Sequence, residues 1–196
     1  RVCSRTASLW RKKTDEEIQF DKTERIMNII AERCSYYRAN PQRFVEEFLG
    51  IKLKLFQKII LWAMMNYDAF YFVAVRGIGK TYMVALFSVV RSILFPYSKI
   101  ICCSSTIRQG REIILKITDD FMQKSPLLRN EISKVITGQN ENVIYFKNGS
   151  WIRVVVAGES SRGARANILI IDDHFYLILG CEYYSDSHEF YIFDLK

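Results

Sequence analysis

Gly79, Lys80 and Thr81 are the residues of this chain with the clearest chemical purpose. Backbone N–H groups around a glycine at a helix start can wrap phosphate oxygens, a lysine can reach the terminal phosphates, and a threonine hydroxyl can hold a magnesium ion. They close the loop Arg76-Gly77-Ile78-Gly79-Lys80-Thr81, set between an apolar run at residues 69–75 and a long helical pattern. The full phosphate-loop pattern, G-x-x-x-x-G-K-[ST], would have glycine at position 74, where this chain has Ala74. Taken alone, the loop is also compatible with an ordinary strand-to-helix turn whose Lys80 is solvated.

A second set of residues supplies carboxylates. Ile168-Leu169-Ile170-Ile171 ends in Asp172 and Asp173, the pattern of a buried strand whose acids emerge at its C-terminal edge, where α/β sheets bind ligands. There Asp172 would hold magnesium, through water or through Thr81, and Asp173 would orient or deprotonate an attacking water. A strand that merely ends in an acidic turn has the same composition. Arg162 and Arg165 lie just upstream. An arginine inserted beside the transferring phosphoryl oxygens is worth about 10³–10⁵ in rate, and a solvated basic loop is the alternative.

The elements that must position these groups follow from patterning. Thr14-Asp15-Glu16-Glu17 predicts the start of a long helix reaching about Tyr37, with acids at the positive end of its dipole. Asn40-Pro41 predicts a cap and first turn of a short helix that Gly50 closes. A further helix begins near Leu53, with Phe56, Ile59, Ile60 and Ala63 on one face. After the strand at 69–75 and the loop, a helix runs from Lys80 to about Leu94, stopped by Pro96; a buried strand at 99–103 and an amphipathic helix marked by Ile114, Ile117 and Phe121 follow, broken at Ser125-Pro126. Strand, helix, strand, helix implies a parallel sheet. Residues 142–147 and 150–157 flank Asn148-Gly149, which predicts a hairpin with a two-residue type I′ turn and makes the sheet mixed.

Bulk properties set outer bounds. The 196 residues are 49% hydrophobic and 14% aromatic, enough for one ordinary domain with a real core. No stretch reaches the roughly 18 uninterrupted apolar residues of a membrane helix, and the N-terminus is charged, so a cytoplasmic chain with no membrane partner is expected. The five cysteines have no metal-like spacing, which argues against zinc, and Cys102-Cys103 reads as core. His174 and His188 read as incidental. A net charge of +7 permits attraction to nucleic acid without requiring it. The chain lacks an initiator methionine and stops without a polar tail, so a fragment is expected.

Together these residues resemble the large subunit of the tailed-phage terminases, in its ATPase portion, over about residues 36–172. Tyr37-Arg38-Ala39-Asn40-Pro41, Phe44-Val45-Glu46 and Leu49-Gly50-Ile51 are similar to the family's leading segment. Leu55-Phe56-Gln57 is similar to its adenine-recognising glutamine motif, and Ser104-Ser105-Thr106, Gln109, Ile113-Ile114 and Asn148-Gly149-Ser150 to the segments after the loop. The family resembles this chain in opening its loop with arginine and lacking the first glycine, so Ala74 is no defect. Ser161-Arg162-Gly163 is similar to the family's arginine motif.

The resemblance implies an α/β fold: a P-loop NTPase of the additional-strand motor type, mostly parallel with a β-hairpin and preceded by N-terminal helices. It implies a Mg²⁺-dependent ATP hydrolase in which Gln57 reads adenine, Arg76, Gly77, Ile78, Gly79 and Lys80 hold phosphates, Thr81 and Asp172 hold Mg²⁺, Asp173 positions water and Arg162 serves a neighbouring subunit. It further implies double-stranded DNA bound without sequence preference, a homo-oligomeric ring on a portal protein, a small terminase subunit, and the host cytoplasm. The expected organisation is a helical segment at 1–50, an ATPase core at 51–173, and a tail at 174–196 with no family motif, neither coupling segment nor nuclease acids. The family has glutamate where this chain has Asp173, and a shift of about 1 Å can cost roughly 10²-fold, which implies slow turnover. The rival expectations are a truncated or frameshifted prophage remnant that binds nucleotide without motor or nuclease activity, a helicase-like ATPase, and a small-molecule kinase.

Overall fold

The structure is a computed structural model that describes residues 14–72, 77–138, 141–156 and 165–171, and the backbone of 176–179 and 190–191. The chain divides into two compact units, residues 1–36 and 37–196. Helix α1 (Asp15–Ala39) starts in the first and buries none of its residues. Its start is a reciprocal cap: Thr14 N–H donates to Glu17 Oε2 (2.9 Å) and Glu17 N–H to Thr14 Oγ1 (3.4 Å). No described helix is long and apolar enough to cross a membrane.

In the second unit α2 (Pro41–Glu47) and α3 (Leu55–Asn66) precede β1 (Ala69–Tyr71). Pro41 opens α2 as expected, but Asn40 makes no side-chain cap; its carbonyl accepts the Arg43 N–H instead (3.0 Å). Gly50, at φ 68°, turns the chain after α2. Then come α4 (Lys80–Leu94), β2 (Lys99–Ser104) and α5 (Ile107–Leu115), whose axis continues through a π-helical turn (Lys116–Phe121) into α6 (Met122–Lys124). Helix α7 (Pro126–Glu131), capped by the Ser125 hydroxyl, leads into β3 (Ile132–Thr137); β4 (Asn142–Phe146) and β5 (Trp151–Val156) follow. The chain ends with β6 (Arg165–Ala166), β7 (Ile168–Ile171), β8 (Tyr176–Leu179) and β9 (Phe190–Tyr191).

Seven strands form one sheet in the order β1-β8-β7-β2-β5-β4-β3, and β6 pairs with β9 apart from it. Strand β2 is parallel to β5 and β7, while β8 is antiparallel to β7 and β1, and β4 to β5 and β3. Hence β1, β7, β2, β5 and β3 run one way and β8 and β4 the other: an α/β architecture with a mixed sheet after leading helices. One sheet face, with Ile100, Cys102, Ile152, Val154, Ile168 and Ile170, packs under α3, α4 and α5 as the main core. The other carries a smaller cluster of Ile101, Cys103, Ala166 and Leu169. Cys102 and Cys103 are thus both buried in the sheet.

Two close approaches fix this packing. A Cβ on Gly110 would lie 2.2 Å from Val154 Cγ1 and 2.6 Å from Ser104 Oγ, so only glycine lets α5 lie this near the sheet. The hairpin turn differs from expectation: only Gly149 has positive φ (82°), Asn148 does not, and Gly149 N–H donates to Phe146 O (3.2 Å). This is a three-residue loop with a left-handed last residue rather than a type I′ turn. The reason is tertiary. Asn148 donates from Nδ2 to Ser92 O of α4 (2.7 Å) and accepts the Ser150 N–H (3.1 Å), which holds its backbone away from the left-handed region.

Candidate functional site

Strand β1 delivers the chain to Gly77 and Gly79, whose φ angles are 85° and 94°. Space does not demand glycine there: a Cβ at 77 would meet nothing within 4 Å, and one at 79 only Tyr82 Cβ at 3.8 Å. Conformation does, since a left-handed residue with a side chain costs about 1–2 kcal/mol. Gly79 is the N-cap of α4 and makes no side-chain cap of its own. The first N–H groups of the helix, which have no partner within it, therefore open toward the loop with the positive end of the dipole behind them. Lys80 and Thr81, both half-buried, occupy the first turn. Below them α4 is almost wholly buried from Met83 to Val90, which anchors the loop to the core.

Tyr82 continues that turn and packs edge-on to Phe121 of the π-helical segment, ring centroids 5.2 Å apart. Burial, and secondarily the Asp120 carboxylate, push its phenol above the ordinary value of 10.0.

The sheet brings the ends of the strands that precede the other expected residues to one edge. Because β1, β7, β2 and β5 are parallel, and Cys103 pairs with Ile171 and Ser104 with Val156, the chain leaves the sheet at Tyr71, Ser104, Val156 and Ile171 on a common carboxyl-end edge. Asp172 and Asp173 directly follow Ile171, and Arg162 falls in the connection after Val156. Arg76, Arg162, Asp172 and Asp173 lie outside the described residues.

Gln57 occupies the first turn of α3, where its Oε1 accepts the Lys54 N–H (2.9 Å). The carboxamide is thus in structural use as a helix cap, and its two N–H donors are the part that could read a ligand. The patterning did not single out the network at the head of α5. Thr106 Oγ1 accepts the Gln109 N–H (3.3 Å), and Gln109 Oε1 accepts from Ser105 Oγ (2.7 Å) and Thr106 Oγ1 (3.0 Å). The Thr-x-x-Gln spacing of a capping box was the available signal. It lies on the same edge as the loop.

Of the two residues expected to hold a metal, Thr81 offers a hydroxyl in the first turn of α4, and Asp172 lies outside the described residues. Oxygen donors few in number suit a hard cation that keeps waters and shares phosphate oxygens, as magnesium does. Among the described residues no group of three or more His, Cys, Asp or Glu could hold a metal ion.

Residues 71–177, more than half of the chain, match the family model described as terminase large subunit, T4likevirus-type, N-terminal. The chain belongs to the terminase large-subunit family. The matched stretch takes in the loop at Gly77–Thr81, Arg162 and the Asp172–Asp173 pair, and runs past His174 to Leu177 inside β8, further than the resemblance read from motifs. Gln57 lies outside it. No curated protein sequence matches. Among solved structures, the ATPase domain of the large terminase of Thermus phage P74-26 is similar at 19% identity with a TM-score of 0.47, covering 64% of this chain and 55% of that one. The terminase chain thus spans about half the length of that solved domain, and its family membership rests on the sequence match.

Proposed function

We propose that this chain is a P-loop ATPase of the terminase packaging motor, hydrolysing ATP to drive double-stranded DNA into a procapsid. The observation that carries the reading is the left-handed pair Gly77 and Gly79 at the head of α4, with Lys80 and Thr81 in the first turn behind it. Such a backbone turns successive N–H groups toward one concavity, which suits an anion.

In this reading the loop amides and the α4 dipole hold the phosphates. Lys80 neutralises them as a point charge, Arg76 reports their presence, and the N–H donors of Gln57 face adenine. Thr81 and Asp172 would hold Mg²⁺, which supplies charge neutralisation across the phosphate oxygens when bound. Asp173 holds the attacking water by accepting its hydrogen bond, and Arg162 reaches a neighbouring subunit's nucleotide. Lysines and arginines along a ring of such subunits on a portal, with a small terminase subunit beside it, would grip DNA through its backbone, which predicts strongly salt-dependent binding.

Nucleotide binding tests the site: Lys80→Ala is expected to weaken ATP affinity by about 10²-fold while the fold stays intact, and equal affinity would overturn it. The Asp173 carboxylate is one methylene short of the family's glutamate, so Asp173→Glu is expected to raise turnover in the assembled motor by roughly 10²-fold with ATP affinity unchanged.

A further inference from the structure

Helix α1 is 25 residues long and buries none of them. A helix in water draws most of its stability from packing an apolar face, so one of this length with nothing buried implies a partner surface. Its own side chains supply the face. Phe20, Met27 and Cys34 recur every seven residues, and Thr23, Ile30 and Tyr37 stand three residues after each, the spacing of a seam between two helices. Phe20 is 70% exposed, Met27 59% and Ile30 49%. Tyr37 packs against the core of the second unit, so the open part of the seam is the stretch that precedes it.

Charge decides what fits against that stretch. Residues 15–24 hold five acids against one lysine, and residues 25–38 hold three arginines against one glutamate. The acidic half repels a DNA backbone. A second α1 laid in the same direction would set acids against acids, whereas one laid head to tail sets the acidic half of each helix beside the basic half of the other, with the two dipoles opposed. We propose that α1 is a self-association surface, which pairs antiparallel with α1 of a second copy about a two-fold axis between Met27 and Ile30. In this register Met27 of each copy opposes Ile30 of the other, and Thr23 opposes Cys34. A two-fold contact uses one surface on both copies and closes at two chains. It is therefore separate from any contact that builds a ring, and it does not depend on the nucleotide-site reading.

Sedimentation equilibrium of the 196-residue chain across about 1–100 µM reads the pairing, and the mass should rise from one chain to two. Met27→Asp puts a charge into the seam and is expected to weaken dimerisation by about tenfold or more. Ile29→Asp is the control: Ile29 is equally exposed at 59% but points away from the seam, so the dimer should survive unchanged. Neither residue is buried, and hydrogen exchange of the β2 and β5 amides should match the wild type in both variants. Spin labels give the direction. With Cys3, Cys34 and Cys181 changed to alanine and the buried Cys102 and Cys103 left in place, single labels are set at Ile18→Cys or Asn28→Cys. Antiparallel pairing brings the two labels at 28 side by side and holds the two at 18 about 30 Å apart along the axis, at 1.5 Å of rise per residue, whereas parallel pairing brings both pairs close. A chain that stays single throughout, a dimer untouched by Met27→Asp, a dimer lost equally in Ile29→Asp, or a short distance at both labels overturns the proposal. Should Met27→Asp not fold, the wild-type mass and the two label distances decide.

Discussion

The two ends of α4 are held in opposite ways. At the C-terminal end protein groups take up the orphan carbonyls: Arg38 Nε donates to Leu94 O (2.9 Å), and Asn148 Nδ2 donates to Ser92 O (2.7 Å) and Ile93 O (3.4 Å). Phe95 just beyond is flanked by two guanidinium groups, Arg91 at 3.7 Å and Arg38 at 4.7 Å from its ring centroid. A cation there also meets the negative end of the helix dipole. At the N-terminal end the residue at the cap is a glycine with no side chain to offer, preceded by another left-handed glycine. One end of the helix is closed by protein side chains; at the other the cap residue has no side chain to offer, which suits the phosphate site proposed above. Ser or Asp at the cap would add only a few tenths of a kcal/mol over glycine, so the left-handed φ of 94°, rather than a missing cap, is what sets this end apart.

That contrast can be broken from either side, and the open end gives the larger effect. Gly79→Ala forces a side chain into φ 94° or moves the backbone out of it. Either way the amide cradle is lost: ATP affinity is expected to fall by about 10²-fold, while the melting temperature falls only by the equivalent of about 1–2 kcal/mol. Isothermal titration beside a thermal melt separates the two. An unchanged affinity would mean that the left-handed glycine is a turn and nothing more.

The closed end should answer in stability alone. Arg38→Ala strips a charged donor from Leu94 O and half of the pair around Phe95, and is expected to cost about 1–2 kcal/mol in urea unfolding with ATP affinity unchanged. A comparable loss of affinity in this variant would show that the two ends are coupled through the helix.

How far the sequence spoke follows the same division between local and tertiary causes. Helix α4 was legible to the residue because Gly79 and Pro96 punctuate it, and β2, β4, β5 and β7 because unbroken apolar runs have few other uses. Strand β3 was not anticipated: Ile-Ser-Lys-Val-Ile-Thr is half-exposed at the sheet edge, and its partner β4 is set by a register shift between Ile132 and Lys134 that no local pattern announces. The roles of Asn148 and Asn40 were misjudged because cap and turn preferences are local averages, and α4 recruits Asn148 from 55 residues away. Strand β8 was passed over because Tyr-Leu-Ile-Leu carries no motif, and its place depends on pairing with β1 about a hundred residues earlier in the chain, a contact that sequence patterning does not reveal.

The finest test of the open end concerns what stands behind it. Tyr82 follows Thr81, and its ring lies between the first turn of α4 and the π-helical segment that carries Asp120. Burial raises its phenol above the unfolded value of 10.0, with Asp120 adding to the shift, so the folded state favours the protonated form. Below pH 10.0 both folded and unfolded chains hold this proton and stability is unaffected; above it the unfolded chain releases the proton more readily, so stability falls as pH rises toward the folded value. Tyr82→Phe keeps the edge-on contact with Phe121 and removes the titration. The variant should therefore melt with the wild type at pH 9 and above it at pH 11, by a small margin because the group is only half-buried. If bound nucleotide protects the same turn, the pH 11 difference should shrink when ATP is present. A difference indifferent to nucleotide would confine Tyr82 to packing and leave the open end to Gly77, Gly79, Lys80 and Thr81.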